Sequence, residues 1–258
     1  QNKTLSIKRM GYLACSLFLG PESEMLILLV ATLQKDLMSK EVQEIAIALN
    51  TVTKIVSASI VSALVDPVTK LLNHAHELIR KKAIMALFKM YTISPTSVIE
   101  FNDKLKKALC DKDPSVMGAS LAIYFELCKK NPQPYKELAG SFVAILKQIL
   151  ENKLPREYDY HRIPAPWIQI KLLQILGQIG ANDPKVCEQI YEILAQAMKR
   201  ADDTGINIGY AITYQCVKTI ASIYPNQTLL ETAANSVSKF LNAQTNTNWN
   251  NLKYLGNI

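Results

Sequence analysis

A helical pattern that returns after 35 to 37 residues is the feature that most limits what this chain can fold into. From Val42 onward, apolar or small residues fall at positions i, i+3, i+4 and i+7, which is the spacing of one face of an α-helix. The same pattern begins at Ile7, at Ile79 (with Lys82 as its one polar exception) and at Val116. Repetition of one helix at this interval predicts a row of stacked repeats, in which each repeat buries an apolar face against its neighbours.

The i+4 position of the pattern holds a small residue in all four copies, namely Gly11, Ala46, Ala83 and Ser120. Stacked helices need small residues where two backbones approach closely, and a larger side chain there would cost about 1–3 kcal/mol by overpacking. We therefore predict that these four residues lie at contacts between repeats. We assign the same packing role to Trp167, the one tryptophan within the repeats.

Each patterned helix is accompanied by another apolar segment of helical length, and the pattern recurs at Ile168 and Ile208. The predicted accompanying helices are Glu22–Leu37, Ile60–Leu72, Thr96–Leu109, Tyr135–Leu150, Lys185–Lys199 and Thr228–Leu241. The unit is therefore helix, turn, helix over about 35–40 residues, the length of HEAT and armadillo repeats. The predicted fold class is all-α, a right-handed α-solenoid of HEAT/armadillo-type helix pairs with no β-strand.

The repeats are interrupted once and then followed by a polar stretch. Prolines and charges in Asn152–Ala165 predict a long loop between helices. We expect residues 1–241 to form the helical-repeat region, residues 242–251 to form a polar linker, and residues 252–258 to start another helical repeat. Because the first residue is Gln rather than Met, we also expect the chain to be a fragment of a longer protein.

Charge, cysteine usage and hydropathy narrow the class of protein. The chain carries 29 Lys and Arg against 22 Asp and Glu, and its net charge of +7 would suit nucleic acid, anionic lipid or an acidic partner. Its five cysteines are widely spaced among apolar residues and form no CxxC pair, which favours reduced core thiols in a cytosolic protein. The strongest apolar run, Met25–Ala31, is far shorter than the about 20 residues of a membrane span.

The motifs of catalysis and of cofactor binding are missing from the sequence. No Gly-rich phosphate loop, HExxH or GxSxG motif occurs. His74 and His76 lack further ligands nearby in sequence and are interpreted as a solvated turn. Asp111 and Asp113 precede Pro114 and are interpreted as a turn in which Asp113 caps the next helix. We therefore predict no catalytic, metal or cofactor site and no enzymatic activity.

Two groups of basic residues have different expected roles. Lys8, Arg9 and Arg80 stand near the start of second helices, where we expect them to cap turns between repeats or to form a ladder of charges. The second group is a candidate surface patch. It consists of Lys104, Lys106, Lys107, Lys129 and Lys130.

Four short strings make the chain resemble the trunk of large adaptins, the large subunits of vesicle-coat adaptor complexes. They are Lys8–Leu13 (KRMGYL), Ile79–Ala83 (IRKKA), Ile163–Leu173 (IPAPWIQIKLL) and Asn251–Gly256 (NLKYLG). The resemblance covers essentially the whole chain. It is strongest to the epsilon type of the fourth adaptor complex, with gamma and alpha types next. The string Thr213-Tyr214-Gln215, where the family carries LYE or LFE, is one departure, and the Asn/Thr-rich stretch before Asn251 is another.

The resemblance implies a non-enzymatic scaffold subunit of a heterotetrameric vesicle-coat adaptor complex. The implied partners are small, medium and second large adaptor subunits and an Arf-family GTPase. The implied location is the cytosolic face of trans-Golgi network or endosomal membranes, with indirect membrane association and no nucleic acid. In this setting the lysine patch becomes a candidate contact for the membrane or the GTPase.

Two other classes of helical-repeat protein remain as alternatives. A nuclear transport receptor or similar HEAT/armadillo scaffold would bind a partner in its concave groove, although such grooves often carry repeated Asn and Trp residues. A basic helical-repeat protein could instead bind nucleic acid through its net charge, and its affinity would then fall steeply with salt.

Overall fold

The computed structural model describes residues 3–20, 22–202 and 207–242, which contain twelve α-helices. The helices are α1 (Lys3–Phe18), α2 (Leu26–Leu37), α3 (Val42–Ile55), α4 (Ala58–Lys70), α5 (Glu77–Ile93), α6 (Phe101–Leu109), α7 (Pro114–Lys130), α8 (Ala139–Leu150), α9 (Pro166–Ile179), α10 (Pro184–Asp202), α11 (Asn207–Ser222) and α12 (Gln227–Asn242). The predicted all-α class is confirmed.

The chain divides into two compact units, residues 1–123 and 124–258, with the boundary inside α7. In the first unit α1, α3 and α5 pack side by side, while α2 packs on α3 and α4, and α4 packs on α5. In the second unit α9 packs on α11, while α8 and α10 pack against each other and against α9 and α11 respectively. Each unit is thus built of helix pairs in two layers, which is the α-solenoid arrangement that the repeat predicts.

Side-chain caps fix where several helices begin. The Asp113 carboxylate accepts hydrogen bonds from the Ser115 backbone N–H (2.9 Å) and from the Ser115 hydroxyl, and Pro114 is the first residue of α7. Asp183 accepts from the Val186 backbone N–H at 3.2 Å at the start of α10. A carboxylate that accepts an otherwise unpaired N–H stabilises a helix start by about 1 kcal/mol. The predicted capping role of Asp113 is confirmed.

Two segments have local structures that differ from the ones predicted for them. The helix expected over Thr96–Leu109 is a 3₁₀ turn at Pro95–Ser97 followed by α6, because Glu100 adopts a left-handed backbone (φ 54°) that a continuous helix cannot contain. The loop Asn152–Ala165 includes a small hairpin, in which Asp159–Tyr160 (β1) pairs antiparallel with Ile163–Pro164 (β2). The expectation of no strand was therefore wrong for these four residues. Strands of two residues are too short to show an alternating pattern in the sequence.

The start of the predicted linker, residues 242–251, belongs to the last helix. Asn242, placed at the start of that linker, instead ends α12. The remainder of the predicted linker, the residues 252–258 and the NLKYLG string lie outside the described residues.

The five cysteines are free thiols that differ in burial, and Cys15 is intermediate. Cys128, Cys187 and Cys216 are buried, and burial raises the pKa of the Cys128 thiol to about 12. These three fit the predicted core thiols. Cys110 is exposed, which contradicts the prediction for this residue, because it follows the last residue of α6 and the buried positions there are Ala108 and Leu109.

Candidate interaction sites

Arg80 stands at the centre of a buried charged cluster in the first unit. Its Nε and one terminal nitrogen donate to the two carboxylate oxygens of Asp111, both at 2.8 Å, in a bidentate ion pair. The other terminal nitrogen donates to the backbone carbonyls of His74 (3.0 Å) and Ala75 (2.9 Å). Arg80 is only 7% exposed. One side chain therefore ties the start of α5, the turn before it and the end of α6 together.

The pKa values of this pair reflect two opposing effects. Burial alone would raise the pKa of Asp111, but hydrogen bonds from Arg80 and from the Asp113 backbone N–H outweigh it and lower the pKa below 3.8. The hydrogen bond to Asp111 raises the pKa of Arg80 against the effect of burial. Both groups are therefore charged over the whole physiological range.

Lys8 occupies the corresponding position in α1. Its Nζ donates to Asp36 at 2.7 Å and to Glu44 at 3.1 Å, so it joins α1 to α2 and α3. The Tyr12 hydroxyl donates to the other Asp36 oxygen at 2.7 Å. Asp36 is 2% exposed, and these two donors are what allow a carboxylate to be buried there. Burial, together with the bond to Asp36, raises the pKa of Tyr12.

Lys8 and Arg80 thus follow one rule. Each is the second residue of the repeat pattern, and each bonds an acidic residue near the end of the following first-layer helix, 28 or 31 positions later. Of the two expected roles, turn cap or charge pairing between helices, Arg80 fulfils both and Lys8 fulfils the second. Arg9 is exposed, and no ion pair is described for it.

The second unit uses other polar residues for similar links. Lys136 pairs with Asp183 at 2.8 Å, and Lys239 donates to Asp202 at 3.2 Å. The buried Gln169 amide donates to the Pro164 carbonyl at 2.6 Å, which ties the start of α9 to the hairpin. Sequence reasoning missed these residues, because their partners lie 5 to 47 positions away and no local pattern marks them.

The residues of the predicted lysine patch lie on two helices. Lys104, Lys106 and Lys107 lie on α6 in the first unit, whereas Lys129 and Lys130 lie in the last turn of α7 in the second unit. Lys107 Nζ donates to the Asn73 side chain at 2.7 Å, and Lys104 Nζ donates to the Ile99 carbonyl. The three α6 lysines lie within one unit, where two of them bond to neighbouring residues.

The four small residues predicted to pack between repeats differ in their burial. Ala46 is 8% exposed, and Ala83 and Ser120 are fully buried, as close helix packing requires. Gly11 is exposed, and no atom lies within 4 Å of the place a Cβ would occupy, so its predicted packing role is wrong. The physical reason is that α1 turns Tyr12, one residue further on, toward its neighbours.

Trp167 requires a second correction. Its side chain is 55% exposed and lies beside Tyr160 of the hairpin, with ring centroids 5.4 Å apart. Because it faces the inserted loop rather than the next helix pair, it is a surface aromatic residue rather than an inter-repeat packing residue.

The buried small residues lead to a prediction. Replacing Ala83 with Leu should lower the free energy of unfolding by about 1–3 kcal/mol, because three additional carbon atoms must enter a site with no exposed surface. Thermal unfolding followed by circular dichroism measures the change. Ala195→Leu, at an exposed position of α10, is the matched control. An equal melting temperature for Ala83→Leu and the parent chain would show that α5 does not pack closely at this position.

The histidines in the turn before α5 act as local caps. His74 Nδ1 accepts from the His76 backbone N–H at 3.0 Å, and His76 Nδ1 accepts from the Leu78 backbone N–H at 3.2 Å. Within residues 3–20, 22–202 and 207–242, no group of three or more His, Cys, Asp and Glu side chains is placed to hold a metal ion. In the same residues no helix is both long enough and apolar enough to span a bilayer.

Comparison with known proteins places these features in a family. The family model described as the adaptin N-terminal region matches residues 1–256. The chain belongs to the adaptin family. This adaptin region has 45% identity over 256 residues to AP-4 complex subunit epsilon-1 of Homo sapiens, an alignment that covers 99% of the chain and 22% of the relative. It has 44% identity to AP-4 complex subunit epsilon of Arabidopsis thaliana, covering 98% of the chain and 26% of the relative.

A more distant relative and one structure agree with this assignment, and a second structure shows the fold alone. AP-1 complex subunit gamma-1 of Schizosaccharomyces pombe is 30% identical, over 93% of the adaptin region and 28% of the relative. A chain in a homology model of the full-length AP-3 complex superposes with a TM-score of 0.71 at 29% identity, covering 96% of this chain and 41% of that one. A designed armadillo repeat protein, with a TM-score of 0.56 at 17% identity over 87% of this chain and 97% of its own, shares the fold.

The resemblance to the epsilon type, with the gamma type next, is confirmed by these identities. This adaptin region spans about a fifth to a quarter of the length of the curated relatives that it matches.

Proposed function

We propose that this adaptin region is a scaffold segment in the large subunit of a heterotetrameric vesicle-coat adaptor complex of the AP-4 type. The observation that carries the proposal is the match to the adaptin N-terminal region along residues 1–256, with 44–46% identity to AP-4 epsilon subunits from animals and a plant. The segment would be non-enzymatic and would support cargo sorting and vesicle formation. Family membership favours this role over a nuclear transport receptor or a nucleic-acid binder.

The described geometry supports a mechanical role within each unit. Bonds that join three elements at once, such as those of Arg80 and Lys8, oppose sliding of one helix pair past the next. A stack held in this way presents its surface residues at fixed spacing, so a partner subunit meets a preformed surface and loses little entropy in ordering it. The proposed partners are the small, medium and second large adaptor subunits. The proposed location is the cytosolic face of trans-Golgi network or endosomal membranes.

Co-expression tests the proposed assembly. The chain is produced alone and together with affinity-tagged small, medium and second large subunits of an AP-4 complex, and copurification and soluble yield are measured. We expect it to copurify with the small subunit and to gain solubility, because a partner that binds only the folded state stabilises that state. Replacing the AP-4 small subunit with its AP-1 counterpart is the specificity control. Failure to copurify with any of the three AP-4 subunits would refute the scaffold proposal.

We also propose that the α6 lysines contact an Arf-family GTPase that brings the complex to the membrane. Changing Lys104, Lys106 and Lys107 together to Glu should reduce capture by the GTP-loaded GTPase about tenfold or more, since charge reversal replaces attraction with repulsion. Pull-downs with GTP-loaded and GDP-loaded GTPase measure the effect. The control changes three exposed lysines elsewhere, Lys147, Lys185 and Lys199, to Glu and alters the net charge equally. If both variants lose GTPase capture equally, the effect comes from net charge alone and the proposed contact is wrong.

A further inference from the structure

A groove lined by both apolar and polar side chains runs between α9 and α11 in the second unit. Its volume is about 390 Å³, within the range of peptide and ligand sites. Gln174 and Gln178 of α9 form one wall, and Gln215 and Lys218 of α11 form the other, with Phe125 of α7 at its side. Most neighbouring helices in a solenoid meet through apolar side chains, so three glutamine amides along one groove are an unusual lining.

The walls of the groove are held at a fixed distance. A Cβ on Gly177 would lie 2.9 Å from Ser222 Oγ, so glycine is what allows α9 and α11 to approach this closely. The buried Thr219 hydroxyl donates to the Leu173 carbonyl at 2.9 Å and joins the two helices below the groove. The groove is therefore a preformed feature of the α9–α11 contact.

The glutamine amides use only part of their hydrogen-bonding capacity on one another. Gln174 Nε2 donates to Gln215 Oε1 at 3.5 Å, and Gln215 Nε2 donates to Thr219 Oγ1 at 3.4 Å. The side-chain oxygens of Gln174 and Gln178 are buried, and the described residues provide no donor for either. A buried polar atom without a partner is unfavourable, so rotating each amide to turn its oxygen into the groove becomes favourable when a ligand there supplies an N–H donor.

The spacing of these two oxygens matches a peptide backbone. Gln174 and Gln178 are one turn apart on α9, and four residues of helix rise about 6 Å. Two residues of an extended chain rise about 6.6 Å, and their N–H groups point to the same side. Alternate N–H groups of an extended peptide therefore match the spacing of the two glutamine amides along α9.

The charges at the groove determine which peptide would fit. Lys218 is exposed along one wall, and Lys171 holds its ammonium 4.1 Å from the centre of the Phe125 ring. Among the described residues that line the groove there is no Asp or Glu. Complementarity therefore favours acidic side chains on the occupant.

We propose that the groove between α9 and α11 binds an extended acidic peptide segment of a partner protein. The backbone N–H groups of the segment pair with Gln174 and Gln178, and its carboxylates pair with Lys218 and Lys171. The binding test uses the chain alone, so it depends neither on assembly with other adaptor subunits nor on the α6 lysines.

Fluorescence anisotropy with the 258-residue chain tests the proposal. The probe is a labelled ten-residue peptide of alternating Glu and Thr with blocked ends, and the comparison peptide alternates Lys and Thr. We expect saturable binding of the Glu peptide alone. Gln174→Ala together with Gln178→Ala should weaken this binding about tenfold or more, the effect of about one lost hydrogen bond. Lys218→Glu, a change at an exposed position, should abolish binding of the Glu peptide.

Controls and contrary outcomes are specific to the groove. Gln148→Ala and Lys199→Glu change exposed residues of α8 and α10 and should leave binding unchanged. N-methylation of alternate peptide nitrogens should weaken binding, because it removes the donors that the glutamines accept. No binding, equal binding of the Lys peptide, or binding that survives the Gln and Lys218 changes would overturn the proposal. Binding of an eight-residue oligouridylate with the same sensitivity to these changes would instead assign the groove to single-stranded nucleic acid.

Discussion

Replacing Arg80 with Ala should lower the free energy of unfolding by about 3–5 kcal/mol, since it removes one partner of a buried ion pair. The guanidinium makes two bonds to Asp111 and one each to the carbonyls of His74 and Ala75. All of these groups lose the Arg80 donor at once, and Asp111 is left as a largely buried carboxylate that keeps the bond from the Asp113 backbone N–H. Urea unfolding followed by circular dichroism at neutral pH gives the loss directly.

Companion variants separate the ion pair from the contacts to the carbonyls. Arg80→Lys keeps the charge but not the bidentate geometry, so we expect an intermediate loss. Asp111→Ala should also destabilise the fold. The double variant should lose less stability than the sum of the two single losses, because either single change already breaks the same ion pair. Strict additivity, or a loss below about 1 kcal/mol for Arg80→Ala, would contradict a structural role for this residue.

The dependence of stability on pH offers a second test of the Arg80–Asp111 ion pair. The pKa of Asp111 is lower in the folded chain than its ordinary value of 3.8, so the pair stabilises the fold fully above that value. As the pH falls below 3.8 and through the lower folded value, the unfolded state binds the proton first and this stabilisation is lost. The difference in stability between the parent chain and Asp111→Ala should therefore shrink as the pH falls below 3.8. A constant difference down to the acid transition would show that the charge of Asp111 contributes nothing.

The sequence predicts the helix pairs well because their signal is local. Apolar residues that share one helix face, such as Ile45 and Leu49 in α3 or Ile79 and Ala83 in α5, are buried as the period requires. The register fails in α1, where spacing alone selects Gly11 although Tyr12 is the buried residue. Tyr12 is drawn inward by a carboxylate 24 positions away, and no local pattern contains that information.

The candidate sites show the same division between local and long-range information. A basic residue at the start of α5 suggests a cap, and Arg80 does cap the turn before it. Its principal partner Asp111 lies 31 positions later, and the pairing can be identified only from the packing of α5 and α6. The glutamine groove is hidden from sequence reasoning for the same reason, since Gln174 and Gln215 face each other only across the α9–α11 contact.

The aromatic cluster at the start of the second unit carries the other large expected effect. Phe142 of α8 is fully buried and meets the Tyr124 ring edge to face, with centroids 5.4 Å apart. Tyr135 meets the same Tyr124 ring at 5.7 Å, also edge to face. Edge-to-face pairs add about 0.5–1.5 kcal/mol to the free energy of burying the rings themselves. Phe142 is therefore the residue through which α8 is held to this cluster.

Phe142→Ala should lower the free energy of unfolding by about 3–5 kcal/mol, the range for removing a buried phenyl ring and leaving a cavity. Phe142→Leu should cost less, because it refills most of the volume and loses mainly the ring contacts. The matched control is Phe18→Ala: the Phe18 side chain is 84% exposed, so the same change there should stay within about 0.5 kcal/mol. Hydrogen exchange would locate the loss, and we expect faster exchange in α8 and in the turn of α7 that carries Tyr124. If Phe142→Ala and Phe18→Ala unfold at the same urea concentration, the ring does not pack in the cluster, and the helix register of the second unit is incorrect.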